Sequence, residues 1–150
     1  MKRILFVCLG NICRSPMAEF IFRDMAKKRG LENEIICASA ATSDEEYGNP
    51  VHPGTRRKLH ELGISCAGKT ARTMTAKDYQ EYDLLLGMEA RNVQNMKRIC
   101  GGDPDHKIGR LLDYSLRPRD IADPWYTGNC DVTCEDIIEG CEALIRHLTR

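Results

Sequence analysis

Val7-Cys8-Leu9-Gly10-Asn11-Ile12-Cys13-Arg14-Ser15-Pro16 decides the reading of this chain, because an apolar run ends there, a short loop follows, and a helical pattern begins. Ile4, Leu5, Phe6 and Val7 read as a fully buried strand, whereas Met17, Ala18, Phe20, Ile21 and Met25 recur at helical spacing from Ser15 onward. The residues from Leu9 to Arg14 therefore form a strand-to-helix loop. Ser15 is expected to cap the helix and Pro16 to take its first position, where a missing N–H removes no intrahelical bond. A tight turn whose N–H groups converge, ending on the positive end of a helix, is an anion site before any side chain is counted.

Cys8 opens that cradle and Arg14 closes it, a Cys-x5-Arg spacing. Five intervening residues can wrap their N–H groups around a tetrahedral dianion, with the guanidinium fork on two oxygens and the sulfur below the phosphorus. The same positive field favours thiolate over thiol at Cys8. Taken alone, so short a pattern also fits a buried strand cysteine followed by an exposed arginine.

The whole decapeptide is far more specific. From Val7 to Pro16 it resembles, residue for residue, the signature loop of the low-molecular-weight protein tyrosine phosphatases. The resemblance covers nearly the whole chain and implies a four-stranded Rossmann-like sheet. It implies that Cys8 is the nucleophile, that Arg14 grips phosphate, and that Leu9, Gly10, Asn11, Ile12, Cys13 and Ser15 complete the phosphate-binding loop. It further implies that Ser39, within Ala38-Ser39-Ala40-Ala41-Thr42, braces Asn11 by hydrogen bonding. By its own surroundings Ser39 would read only as a strand end. Cys13 shares the loop with Cys8, close enough for a reversible disulfide, and the resemblance gives it that protective redox role. Animal members place a histidine before the glycine at the Gly63 position; Leu62 stands there here, and His60 is left outside the site.

A chain of 150 residues suits one domain, residues 1–150, with a single sizeable core. Lys plus Arg and Asp plus Glu balance at 22 each, so no net field draws it towards nucleic acid or an acidic membrane surface. No apolar run reaches the length of a membrane span, and the apolar opening is cut off by Gly10-Asn11 and an arginine, which predicts a cytoplasmic protein. The eight cysteines contain no Cys-x2-Cys pair, so reduced thiols are expected rather than a disulfide framework or a zinc site.

Downstream, a helix is expected over 15–29 with Gly30 as its stop, a second strand over 34–41, and a polar loop over 43–53. A helix over 55–62 stops at Gly63, Thr75 caps a single turn, and a strand over 82–88 leads to a helix over 89–99. A shorter strand over 107–112 precedes an amphipathic helix over 134–148, striped by Ile137, Ile138, Cys141, Leu144, Ile145 and Leu148. Strands alternating with helices predict a parallel sheet covered by helices on both faces with its ligand at the carboxyl edge, and the resemblance implies that this is one three-layer Rossmann-like α/β domain with a four-stranded parallel sheet.

Asp123-Pro124-Trp125-Tyr126 precedes the last helix. Asp-Pro by itself is a turn initiator. The resemblance makes Asp123 the general acid, a group the chemistry needs because thiolate attack on phosphorus expels an alkoxide or phenoxide that must take a proton. Pro124 holds Asp123 extended, which helps aim the carboxyl. The implied reaction runs through a phosphocysteine, without metal or cofactor, on tyrosine-phosphorylated proteins, with inorganic phosphate as product and inhibitor. Ile12 and Tyr47 are expected to face Trp125 and Tyr126 across a slot too deep for phosphoserine. Glu45 occupies a place where relatives carry a bulky residue, and Asp44, Glu45 and Glu46 form an acidic rim that disfavours acidic peptides.

Three rivals are weighed against this. Protein arginine phosphatases of the same fold carry threonine where Ile12 stands and lack the paired aromatics. Thiol-dependent arsenate reductases need a resolving cysteine pair near the third strand, and no cysteine lies between Cys66 and Cys100. A non-catalytic phosphopeptide-binding module would leave Asp123 unexplained.

Overall fold

The first strand, β1 (Lys2–Cys8), is buried from Ile4 to Cys8 and alternates its side chains between two layers. Ile4, Phe6 and Cys8 enter a cluster of 22 buried residues, whereas Leu5 and Val7 enter a smaller cluster of seven on the opposite face. A strand with apolar residues on both sides has to be covered on both sides. In the computed structural model, which describes residues 1–150, it is central in a four-stranded sheet of order β2-β1-β3-β4. Its partners β2 (Ile35–Ala41) and β3 (Leu84–Gly87) run parallel to it, and β4 (Ile108–Arg110) runs parallel to β3.

Helices α1 (Arg14–Lys28), α2 (Pro53–Glu61) and α6 (Cys130–Leu148) supply the larger cluster, including Met17, Phe22, Leu59, Ile137 and Leu144. Helices α3 (Lys77–Glu81) and α4 (Ala90–Cys100) supply Tyr79 and Met96 to the smaller one. The three-layer α/β arrangement read from the sequence is therefore the observed one. The chain runs from β1 out to β2 and returns to β3 on the other side of β1. The strand order thus reverses between β1 and β3, and the crevice at their carboxyl ends is where such sheets bind ligands.

Several boundaries differ from expectation. Ser15 does not cap α1: the helix begins one residue earlier behind Cys13, with no side-chain cap. Thr75 caps nothing either, since α3 starts after Ala76 and the Asp78 carboxylate instead accepts from the Thr75 N–H at 2.9 Å. The fourth strand keeps only three residues, because Leu111–Tyr114 tighten into a 3-10 turn whose leucines are buried. The last helix starts four residues earlier than the expected 134, at Cys130, because Asn129 Oδ1 accepts from the N–H groups of Asp131 and Val132. Between them a short turn of helix, α5 (Pro124–Thr127), follows Asp123.

Packing of α6 on the 3-10 turn depends on Gly140, where an added Cβ would lie 2.5 Å from Leu111 Cγ. In an open helix Gly→Ala stabilises by about 1 kcal/mol. Here the overlap is expected to reverse the sign: Gly140→Ala should lower the thermal midpoint, with a net cost of about 1–2 kcal/mol read by calorimetry.

Candidate active site

The loop between β1 and α1 closes on the Cys8 sulfur. Asn11 adopts a left-handed conformation, φ 59°, which turns its backbone N–H towards Cys8 Sγ at 3.3 Å. Asparagine tolerates this region better than most residues because its short amide bonds locally. The Asn11 Nδ2 donates to Ser15 Oγ at 2.8 Å and to Ser39 Oγ at 2.9 Å, while its Oδ1 accepts from the Arg72 N–H at 3.2 Å. Ser15 Oγ also lies 3.0 Å from Cys8 Sγ, in hydrogen-bond contact, and donates to the sulfur when that is a thiolate. The serine expected to cap the helix is therefore used on the sulfur.

Behind this loop lies a charged chain. Ser39 Oγ donates to Glu19 Oε1 at 2.5 Å, and Glu19 Oε2 accepts from Arg23 at 2.6 Å. Lys69 reaches in from the far side, its Nζ donating to the Ser39 carbonyl at 3.1 Å and lying 3.6 Å from Glu19 Oε1. Burial pulls the Lys69 ammonium below the usual lysine range, and Glu19 opposes that shift. Lys69, not His60, stands behind the loop; His60 is exposed on α2. Neither Glu19 nor Lys69 was assigned to the site from sequence. A signal for Glu19 existed: Ser15 and Glu19 lie one helical turn apart and are polar, yet share the buried side of α1.

Arg14 is buried, with its side chain 3% exposed. Its Nη1 donates to Glu89 Oε2 at 3.0 Å and to the Ile121 carbonyl at 2.8 Å, and its Nη2 lies 3.5 Å from Asp123 Oδ2. Glu89, absent from the sequence reading, is placed by the turn after β3, where Asn92 Oδ1 accepts from the N–H groups of Met88 and Glu89. Asp123 has the extended backbone expected before proline, φ −79° and ψ 119°, and its Oδ1 accepts from the Trp125 N–H at 3.0 Å.

Cys8, Arg14 and Asp123 share one cavity of about 200 Å³, lined also by Leu9 to Cys13, Glu45, Glu46, Trp125 and Tyr126. Trp125 is steadied by the edge of His52, ring centroids 5.8 Å apart. Tyr47, expected in the opposite wall, is not part of it. It is largely exposed, and the 43–48 turn brings Glu45 and Glu46 to the cavity instead. Burial, reinforced by the neighbouring Cys8, pushes the Cys13 thiol up to about 12.

A larger groove of about 1020 Å³ runs along α2 and residues 63–69 but contains neither Cys8 nor Asp123. Its Gly63–Thr70 edge has the G-x4-G-K-T spacing of a nucleotide phosphate loop. The context that the motif needs is missing, since the segment follows a helix rather than a strand and Lys69 Nζ turns inward.

Residues 3–150 match the family model of the low molecular weight phosphotyrosine protein phosphatases. The chain is 43% identical over 152 residues to the low molecular weight protein-tyrosine-phosphatase YfkJ of Bacillus subtilis, covering 100% of this chain and 97% of that protein. The crystal structure of YfkJ superposes with a TM-score of 0.95 over 99% of this chain and 94% of that one, at 44% identity. PtpA of Staphylococcus aureus, also named a low molecular weight protein-tyrosine-phosphatase, is 35% identical over 153 residues, 100% of this chain and 96% of PtpA. A Drosophila arginine phosphatase has the same fold at 26% identity, with a TM-score of 0.91 over 100% of this chain and 99% of that one. With the model matched from end to end and relatives of this likeness over their full length, the chain belongs to the low molecular weight protein tyrosine phosphatase family.

Proposed function

We propose that the protein hydrolyses phosphotyrosine through a covalent phosphocysteine, with Cys8 as nucleophile, Arg14 as phosphate ligand and Asp123 as general acid, and that it needs no metal. The observation that carries this reading is the convergence of those three side chains on one small cavity, the Arg14–Asp123 pair at 3.5 Å included. The Cys8 thiolate attacks phosphorus while loop N–H groups and Arg14 hold the equatorial oxygens, and the bond to the phenolic oxygen breaks as Asp123 protonates it. A dianion seated on Arg14 competes with Asp123 for the guanidinium and frees the carboxyl to face the leaving group. In the second step the Asp123 carboxylate takes a proton from water, which attacks phosphorus and returns the sulfur as thiolate stabilised by Ser15. Inorganic phosphate leaves, and as a ligand of the same loop it inhibits.

Ile12 and the exposed Trp125-Tyr126 pair support a tyrosine rather than an arginine substrate. All eight cysteines are free thiols, in keeping with a reducing, cytoplasmic setting. Cys13 is proposed to guard Cys8: peroxide oxidises the Cys8 thiolate to a sulfenic acid, and the Cys13 thiol then displaces water to form the disulfide.

Phosphate release from an aryl phosphate in the presence of chelator tests the mechanism. Cys8→Ser should abolish turnover, and Asp123→Ala should lower kcat by about 10²–10⁴-fold; full turnover in Cys8→Ser would overturn the reading. Asn11→Ala strands donors and acceptors on Ser15, Ser39 and Arg72, so it should cost about 2–3 kcal/mol of stability and lower kcat more than it raises KM. After sustained peroxide treatment, a thiol reductant should restore the parent enzyme, whereas in Cys13→Ser further peroxide takes the Cys8 sulfenic acid on to sulfinic acid, so activity should stay largely lost.

A further inference from the structure

We propose that the lip of the catalytic slot selects phosphotyrosine flanked by lysine or arginine, through Glu45 and Glu46 on one wall and the aromatic faces of Trp125 and Tyr126 on the other; this rests on the phosphotyrosine reading above. The slot is acidic everywhere but at Arg14. Arg14 is the one cation among its lining residues, and it is spent at the floor on Glu89, Ile121 and Asp123. At the mouth, the 43–48 turn carries Asp44, Glu45 and Glu46 in succession, and none of the three joins any of the twelve ion pairs of the molecule.

Two of the three are nevertheless held in position. Asp44 accepts from the Thr73 hydroxyl at 2.5 Å, and Glu46 accepts from Asn49 Nδ2 at 2.6 Å. The Glu46 stem lies over the phosphate loop, its Cγ only 3.2 Å from where a Cβ on Gly10 would stand. Hydroxyl and amide partners orient these carboxylates without neutralising them. Glu45 has no side-chain partner of its own, and both it and Glu46 line the cavity beside Ile12.

A phosphotyrosine whose phosphate reaches Arg14 carries its neighbouring side chains across this mouth. A glutamate there meets like charge, whereas a lysine or arginine meets carboxylate on one side. On the other it meets Trp125, 68% exposed, and Tyr126, 81% exposed, whose ring faces attract cations. The acidity is local, since the chain as a whole balances 22 basic against 22 acidic residues. The larger groove on α2 has the opposite character, with Arg56, Arg57, His60 and Lys69 and no carboxylate.

One exposed pair is worth up to about fivefold, and two acting together about tenfold. Matched phosphotyrosine peptides with two flanking lysines, two glutamates or two alanines test this by kcat/KM at low and high salt. The lysine peptide should exceed the glutamate peptide by about tenfold at low ionic strength, and screening should shrink that ratio. In Glu45→Gln/Glu46→Gln the ratio should fall towards one. Glu32→Gln, on the turn before β2 at the opposite end of the sheet, should leave it as in the parent. A parent ratio near one, or a ratio undiminished in the double variant, overturns the proposal while aryl phosphate turnover stands. Absence of turnover on every phosphotyrosine substrate, aryl phosphate included, overturns the phosphatase reading and this inference with it.

Discussion

The side-chain amide of Asn11 is the interaction on which the site depends. A loop that points its N–H groups inward leaves them without the partners that a helix or sheet would provide, so something outside the backbone must hold it in shape. Asn11 supplies that hold from a left-handed position, joining the Ser15 and Ser39 hydroxyls and the Arg72 N–H at once. Each partner comes from a different part of the fold: α1, β2, and the segment before α3. The loop is therefore as rigid as the packing of those elements. The serine that Asn11 orients is the one that addresses the sulfur.

Burying the Arg14 guanidinium is a second constraint, because an unpaired charge in the interior costs several kcal/mol. The fold meets it with Glu89 from the end of β3, the Ile121 carbonyl and, at longer range, Asp123. Two of these partners fix the plane of the fork, and the third, Asp123, lies at 3.5 Å from the other terminal nitrogen. The carboxyl ends of β1 and β3 bring them within reach, which is the geometric meaning of a strand-order reversal at that point. Glu19 plays a parallel part behind the loop, holding Ser39 in place while Arg23 and Lys69 balance its charge.

Much of this was legible in the residues, and the failures have a common form. The continuous apolar run of β1 announced a strand covered on both faces, and the i, i+4 stripe of α6 announced a helix packed on one. The assignment of Ser15 as a cap failed because capping is a local rule, and its hydroxyl oxygen accepts from Asn11 Nδ2 and faces the Cys8 sulfur instead of the helix N–H groups. Tyr47 failed for a related reason. Its place in the turn could be read, but which of Glu45, Glu46 and Tyr47 faces the slot depends on how the turn sits against Gly10. The fourth strand was overextended because Leu111 and Leu112 are apolar enough for a strand yet pack under α6 as a 3-10 turn.

What the sequence determined by itself is the order of parts in the loop from Cys8 to Arg14, because its residues are contiguous: a strand end, a turn around Asn11, a helix start. The five residues between Cys8 and Arg14 fix their spacing along the chain. What only the tertiary structure decided is the company they keep. Glu89 lies 75 residues from Arg14, and Ile121 lies 107 residues away. Lys69 meets Glu19, and Glu46 meets Gly10, across shorter gaps that are still long-range. No periodicity or spacing encodes such pairs, because side chains that distant come together only when a parallel sheet lays the carboxyl ends of its strands along one edge.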